Sequence, residues 1–301
     1  MLSQQAMTVK SLLKQAKESG EPVTSVEQQR NSLEALALLS PMASGTTVTA
    51  TTLGGIESAI VESSQVATNN VLFYIHGGAY TAGSISTHRS LVSRICQVTQ
   101  ARAYMVEYRR APEHPFPAAL QDVLAAYQGL IDAGISPQRL VVSGDSAGGG
   151  LTLALMLKLK ELNLELPLRM VLISPWTDLT GTARSITERA DLDPFLHSDS
   201  LVPAAMIYLN GEDPRNPFAS PLFGDLSGLP ESLVLVGSDE ILFDDSFRLV
   251  QALQEAGSPA RLVIGEGMWH VWPAFPMMPE SDDAIAEIAT FICAAPSISP
   301  N

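Results

Sequence analysis

Short runs of consecutive apolar residues alternate along this chain with longer stretches in which apolar residues recur every third or fourth position. The runs are "VLFYI" (71–75), "AYMVEY" (103–108), "LVVSG" (140–144), "MVLIS" (170–174), "LVLVG" (233–237) and "RLVIG" (261–265). Their length and β-branched content predict strands, mostly apolar because both faces are covered. The intervening stretches "HRSLVSRICQVTQ", "AALQDVLAAYQGLIDAG", "GLTLALMLKLKELN" and "DDSFRLVQALQEAG" predict helices. The last opens on Asp244, Asp245 and Ser246 and closes at Gly257, matching helix cap preferences. Ahead of this alternation, residues 46–62 predict a hairpin turning at Gly54 and Gly55. Residues 1–40 predict two helices, "TVKSLLKQAK" and "NSLEALALLS", limited by Pro22 and Pro41.

Strands separated by helices imply an α/β fold: a mostly parallel central sheet with helices on both faces. Chemistry in such sheets belongs at the carboxyl ends of the strands. Residues 176–226 break the alternation with many Pro, Gly and Asp residues and one helical piece near "SLVPAAMIYLN". An insertion of this length reads as a lid or binding element. The expected organisation is N-terminal cap helices over 1–45, core over 46–175, a cap insertion over 176–226, and the rest of the core over 227–301.

Charge narrows the partners. A net charge of −14 and a pI near 4.7, with no basic stripe, argue against nucleic acid and anionic membrane surfaces. No run reaches the roughly 18 apolar residues of a membrane span, so no stable membrane insertion is expected. The segment "MLSQQAMTVKSLLKQAKESG" lacks the continuous apolar core of a signal peptide, so the expected location is cytoplasmic. Cys96 and Cys293, both in apolar helical context, are expected to be buried free thiols. Neither belongs to a zinc-like spacing, so no metal is expected.

Gly144-Asp145-Ser146-Ala147-Gly148 has the G-x-S-x-G pattern between a predicted strand and a predicted helix. That setting places a serine hydroxyl on a sharp, strained turn at a helix N-terminus, clear of the sheet. A serine is a poor nucleophile until a base takes its proton. In the serine–acid–histidine order that accompanies this elbow, the base comes last. Of five histidines only His197 and His270 follow Ser146, and His197 lies in the cap insertion. His270 follows the last strand after a short loop, where strand ends present catalytic groups. The acid that orients the imidazole comes from "GSDEILFDDS". Asp244 and Asp245 belong to the next helix, which leaves Asp239 and Glu240. The loop "YIHGGAY" (74–80) has small residues that let backbone N–H groups face the site, joined by the N–H of Ala147. Each such donor contributes about 2.7–4 kcal/mol to a developing oxyanion.

Taken in order, "HGGAY", "YRRAPEHPFPAAL", "GDSAGGG", "SPWTDLT", "DPF", "GSDEILFDDS" and "HVW" resemble the hormone-sensitive-lipase-like, bacterial family IV esterases of the α/β-hydrolase superfamily. The resemblance runs from about residue 70 to the end. It implies an α/β-hydrolase fold and hydrolysis of short-chain carboxylic esters through an acyl-enzyme, with no metal or organic cofactor. The substrate partner is a small-molecule ester. An aryl formamidase or another amide or lactone hydrolase would use the same residues. A ligand receptor on this fold would typically lack the base that His270 supplies.

By the same resemblance Ser146 is the nucleophile, His270 the base and Glu240 the acid, because Leu242 and Asp244 then align with the family's pattern; Asp239 is the fallback. The family's oxyanion motif His-Gly-Gly-Gly falls on His76, Gly77, Gly78 and Ala79, so Gly78 and Ala79 would donate. The alanine keeps its donor if its φ is negative, and its methyl restricts room for bulky alcohols. His76 would brace this loop, Gly77 and Asp145 would support it, and Asp193 would anchor a loop near the acid and base. Arg110 stands where the family commonly has Leu. A homodimer through the edge strand and the C-terminal helix is also implied.

Overall fold

A computed structural model describes residues 1–19 and 25–294, and Pro22 lies outside them. Helices α1 (Gln4–Ser19) and α2 (Val26–Leu38) precede the hairpin of β1 (Thr46–Leu53) and β2 (Ile56–Ser63). Pro41 follows α2, and Gly54 and Gly55 form the hairpin turn with φ of 54° and 84°. That left-handed pair matches the twist of the flanking strands.

The alternating region then runs β3 (Val71–Ile75), α3 (Ile85–Thr99), β4 (Arg102–Val106), α4 (Ala118–Asp132), β5 (Leu140–Asp145), α5 (Ala147–Glu161) and β6 (Arg169–Ile173). Residues 176–226 hold α6 (Ser185–Glu188) and α7 (Leu201–Leu209), one helix more than the sequence pattern suggests. The chain closes with β7 (Glu231–Gly237), α8 (Phe243–Glu255), β8 (Ala260–Gly265) and α9 (Pro279–Cys293).

The eight strands form one sheet in the order β1-β2-β4-β3-β5-β6-β7-β8. Pairings of β1 with β2 and of β2 with β4 are antiparallel, and the remainder are parallel. Alternate strand residues enter two cores. Phe73, Ile75, Val142 and Leu172 pack with α4, α5 and α8, while Leu72, Tyr74, Val141 and Val171 pack with α3 and α9. Both faces of the central strands are thus covered, which is why they are mostly apolar. The alternation makes one mostly parallel sheet whose parallel strands all end on one rim.

Three local expectations change. The strand predicted over 103–108 stops at Val106, where its pairing with Ile75 ends. Helix α8 starts after Leu242, with no side-chain cap. Asp244 and Asp245 lie in its first turn, but their carboxylates accept from Ser185 N–H, and from Thr177 and Asp178 N–H, in the preceding insertion. Cys96 is buried as expected, whereas Cys293 is exposed because it ends α9.

Candidate active site

Ser146 sits between the last residue of β5 and the first of α5, half-buried, with φ 52° and ψ −122°. A non-glycine residue held there is strained, and the surroundings must over-determine it. Here they do: its N–H donates to Ile173 O at 2.9 Å, and its carbonyl accepts from Gly150 and Trp176 N–H at 3.1 and 2.9 Å. The flanking glycines let backbones close around it. A Cβ on Gly148 would stand 2.1 Å from Ile75 O, and one on Gly144 would stand 2.3 Å from Gly148 O. Only hydrogen fits between the turn and the neighbouring strand.

His270 follows β8 and Glu240 follows β7, and both are buried. Imidazole Nδ1 lies 3.3 Å from Glu240 Oε1. The other carboxylate oxygen accepts from Ser174 Oγ at 2.7 Å and from Gly237 N–H at 2.9 Å. Ser174, at the end of β6, in turn accepts from Val271 N–H at 3.0 Å. Burial pulls the His270 pKa down, but the hydrogen bond and charge of Glu240, with the charges of Asp193 and Asp145, outweigh it and the net shift is upward. Asp239 faces the other way, bonded to Lys10 and to Ser238 Oγ at 2.8 Å. Asp193 sits beside the pair: Oδ2 accepts from Ile241 N–H at 3.0 Å and Oδ1 from Phe195 and Leu196 N–H. The Phe195 ring lies 6.4 Å from that of His270. His197 is exposed on the insertion.

Behind the loop 76–84 stands Asp145. One carboxylate oxygen accepts from Tyr74 Oη at 2.7 Å and Gly77 N–H at 3.1 Å; the other lies 3.2 Å from His88 Nε2. Burial raises the Asp145 pKa, but the His88 charge and the bonds from His88 and Tyr74 outweigh it, so the net shift is downward. His76 is stacked on Tyr108 at 4.2 Å, and its Nδ1 lies 2.8 Å from Gly77 O. Burial, then the nearby His88, push its pKa down to about 3, so it is neutral at physiological pH. Arg110 bonds to Gly83 O, and its Nη2 lies 3.7 Å from Glu107.

Gly78 has φ 117° and Ala79 has φ 54°. The negative φ on which the Ala79 donor was expected to depend is not what the structure adopts. Ala79 and the following Tyr80, at φ 63°, both occupy the left-handed region. Tyr80 is held there by packing: its ring stacks on Tyr208 of α7 at 3.8 Å and lies 5.8 Å from Trp176.

Sequence reasoning passed over Ser174, Tyr74 and His88. The signal for Ser174 was its position at a strand's carboxyl end between the two strands that carry Ser146 and Glu240. Tyr74 and His88 carried none, since they reach Asp145 from a strand interior and from α3.

Parallel strands ending in a tight serine elbow, with a carboxylate–imidazole pair on later strands, define an α/β hydrolase. Residues 72–274 match the family described as alpha/beta hydrolase fold. An acetyl-hydrolase from Streptomyces hygroscopicus is 43% identical over 222 residues, which span 73% of this chain and 74% of that protein. An esterase from Acinetobacter venetianus is 39% identical over 241 residues, 79% of each chain. Among solved structures, an esterase from the bacterial hormone-sensitive lipase family superposes with a TM-score of 0.93 at 35% identity, covering 97% of this chain and 98% of that one. The chain belongs to the alpha/beta-hydrolase family, in its bacterial hormone-sensitive-lipase-like branch, and is a carboxylic ester hydrolase.

Proposed function

We propose that the protein cleaves short-chain carboxylic esters by double displacement at Ser146. His270 Nδ1–H donates to Glu240, which leaves Nε2 free to take the Ser146 proton as Oγ attacks the ester carbonyl. The N–H groups of Gly78 and Ala147 hold the resulting oxyanion, joined by that of Ala79, whose backbone amide keeps its hydrogen at the left-handed φ of 54°. His270 then protonates the departing alcohol, and water repeats the sequence on the acyl-enzyme. His76, Gly77, Asp145 and Asp193 act through the loops they hold.

The buried contact of His270 with Glu240, on the same sheet rim as the strained Ser146 elbow, carries this reading. Short acyl groups are supported by the apolar residues of the insertion around "PFLHSDSLVPAAMIYL", which suit an apolar pocket of ordinary size. They are supported also by a relative named acetyl-hydrolase. The helices of 1–45 and 176–226 form the cap over this site in the proposal. Ser146→Ala should abolish turnover of 4-nitrophenyl acetate while leaving the far-ultraviolet circular dichroism unchanged. Persistent hydrolysis by that variant would assign the nucleophile elsewhere.

The proposal extends to a homodimer. Strand β8 is an edge with Ile264 exposed, and unpaired edges invite association. Sedimentation at twice the chain mass of 32.1 kDa is expected; a monomer would remove this part alone.

A further inference from the structure

Helix α1 meets the rest of the molecule along one face. Ala6 is buried, and Val9 and Leu13 pack against the core cluster that contains Trp269. Lys10 and Lys17, seven residues apart, share that face. Lys10 pairs with the Asp239 carboxylate, and its ammonium also donates to Gly267 O at 3.0 Å. Asp239 immediately precedes Glu240, and Gly267 lies three residues before His270, so one ammonium ties together the loops that carry acid and imidazole. Lys17 donates to the carbonyls of Ala190, Asp193 and Leu196 at 3.1, 2.6 and 2.7 Å. That turn is the one in which Asp193 holds Ile241 N–H and Phe195 lies against His270. An ammonium has three donors, and a lysine at a surface ordinarily keeps them in water; Lys17 directs them into a single turn.

Helix α2 grips a different part of the site. Arg30 Nε donates to Thr81 O at 2.8 Å and Nη2 to Ala111 O at 3.1 Å, while Glu113 pairs with the guanidinium at 2.7 Å. Thr81 Oγ1 donates to Gln29 Oε1, and Ser84 Oγ to Glu34 Oε1. Apart from the Arg30–Glu113 pair, these contacts fall on residues 81–84 and their neighbour Ala111, at the end of the loop that opens with His76.

We propose that the two N-terminal helices divide the positioning of the site: Lys10 and Lys17 hold the acid–imidazole half, and Arg30 holds the oxyanion-loop half. The proposal rests on the roles given above to Ser146, His270 and Glu240. Loosening the first half lets the carboxylates retreat from the imidazole, so both the rate and the acid limb of the pH profile respond. Loosening the second misplaces backbone donors that do not titrate, so the rate responds alone.

The test compares Lys10→Met, Lys17→Met, Lys17→Arg and Arg30→Met by pH profiles of kcat/KM with 4-nitrophenyl acetate, alongside thermal melts. Small displacements of catalytic groups lower rates by about 10-fold or more. Both lysine-to-methionine variants should lose that much and move the acid limb to lower pH, and Lys17→Arg should recover the limb. Arg30→Met should lose rate with the limb in place. The proposal is overturned by lysine variants with wild-type rate and limb, by an equal limb shift in Arg30→Met, or by losses that track only the folded fraction. Ser146→Ala run in parallel separates the two levels. Turnover surviving there removes the site assignment, whereas an inactive Ser146→Ala beside unaffected lysine variants removes only the divided positioning.

Discussion

Glu240 and His270 are 30 residues apart in the chain, yet their side chains meet at 3.3 Å with almost no exposed surface between them. The remaining carboxylate oxygen accepts from Ser174 and Gly237, so the carboxylate turns only Oε1 toward the imidazole. A carboxylate held this way selects one imidazole tautomer and steadies the charge that forms on it.

That arrangement predicts a pH signature. In the proposed mechanism His270 must be neutral to accept a proton, and its pKa is raised, so the acid limb of kcat/KM should lie above the ordinary histidine value of about 6.5. Glu240→Gln removes the charge that raises it. The limb should then move to lower pH and kcat should fall by about 10²–10⁴. Asp239→Asn, which removes a partner of Lys10 rather than of His270, should cost far less. Rate–pH profiles of the two variants check the order.

Ala79 offers a stability prediction. A left-handed φ of 54° costs a residue with a Cβ about 1–2 kcal/mol, part of which glycine returns as added freedom of the unfolded chain. Ala79→Gly should therefore stabilise the fold by about 0.5–1 kcal/mol. It should also widen the space for the alcohol group, raising turnover of tertiary-alcohol acetates relative to ethyl acetate. Urea midpoints and that substrate pair are the measurements.

His88 and Asp145 predict a pH-dependent stability. Burial lowers the His88 pKa, but the charge and hydrogen bond of Asp145 raise it further, and the net shift is upward. A raised folded-state pKa contributes stability that is complete below the unfolded value of about 6.5 and is lost as pH rises through the folded value. The Asp145 pKa is shifted downward, so its contribution is lost only in acid, as pH falls below about 4. The stability gap between wild type and His88→Gln should therefore be largest near pH 5.5 and shrink by pH 8.5. Denaturant titrations at the two values read it directly.

Periodicity and short-range chemistry were enough for the scaffold of this protein. The six parallel strands, the Gly54–Gly55 hairpin and the strand–turn–helix at Ser146 are local patterns, and local backbone preferences govern them. The choice between Asp239 and Glu240 is of another kind. Adjacent side chains on one loop point apart, and which faces the imidazole depends on a lysine 229 residues away that takes the other. The left-handed Tyr80 is held by ring stacking against α7, and the exposure of Cys293 follows from where α9 stops. Such outcomes are decided by contacts between segments far apart in the chain, whose energies no local pattern encodes.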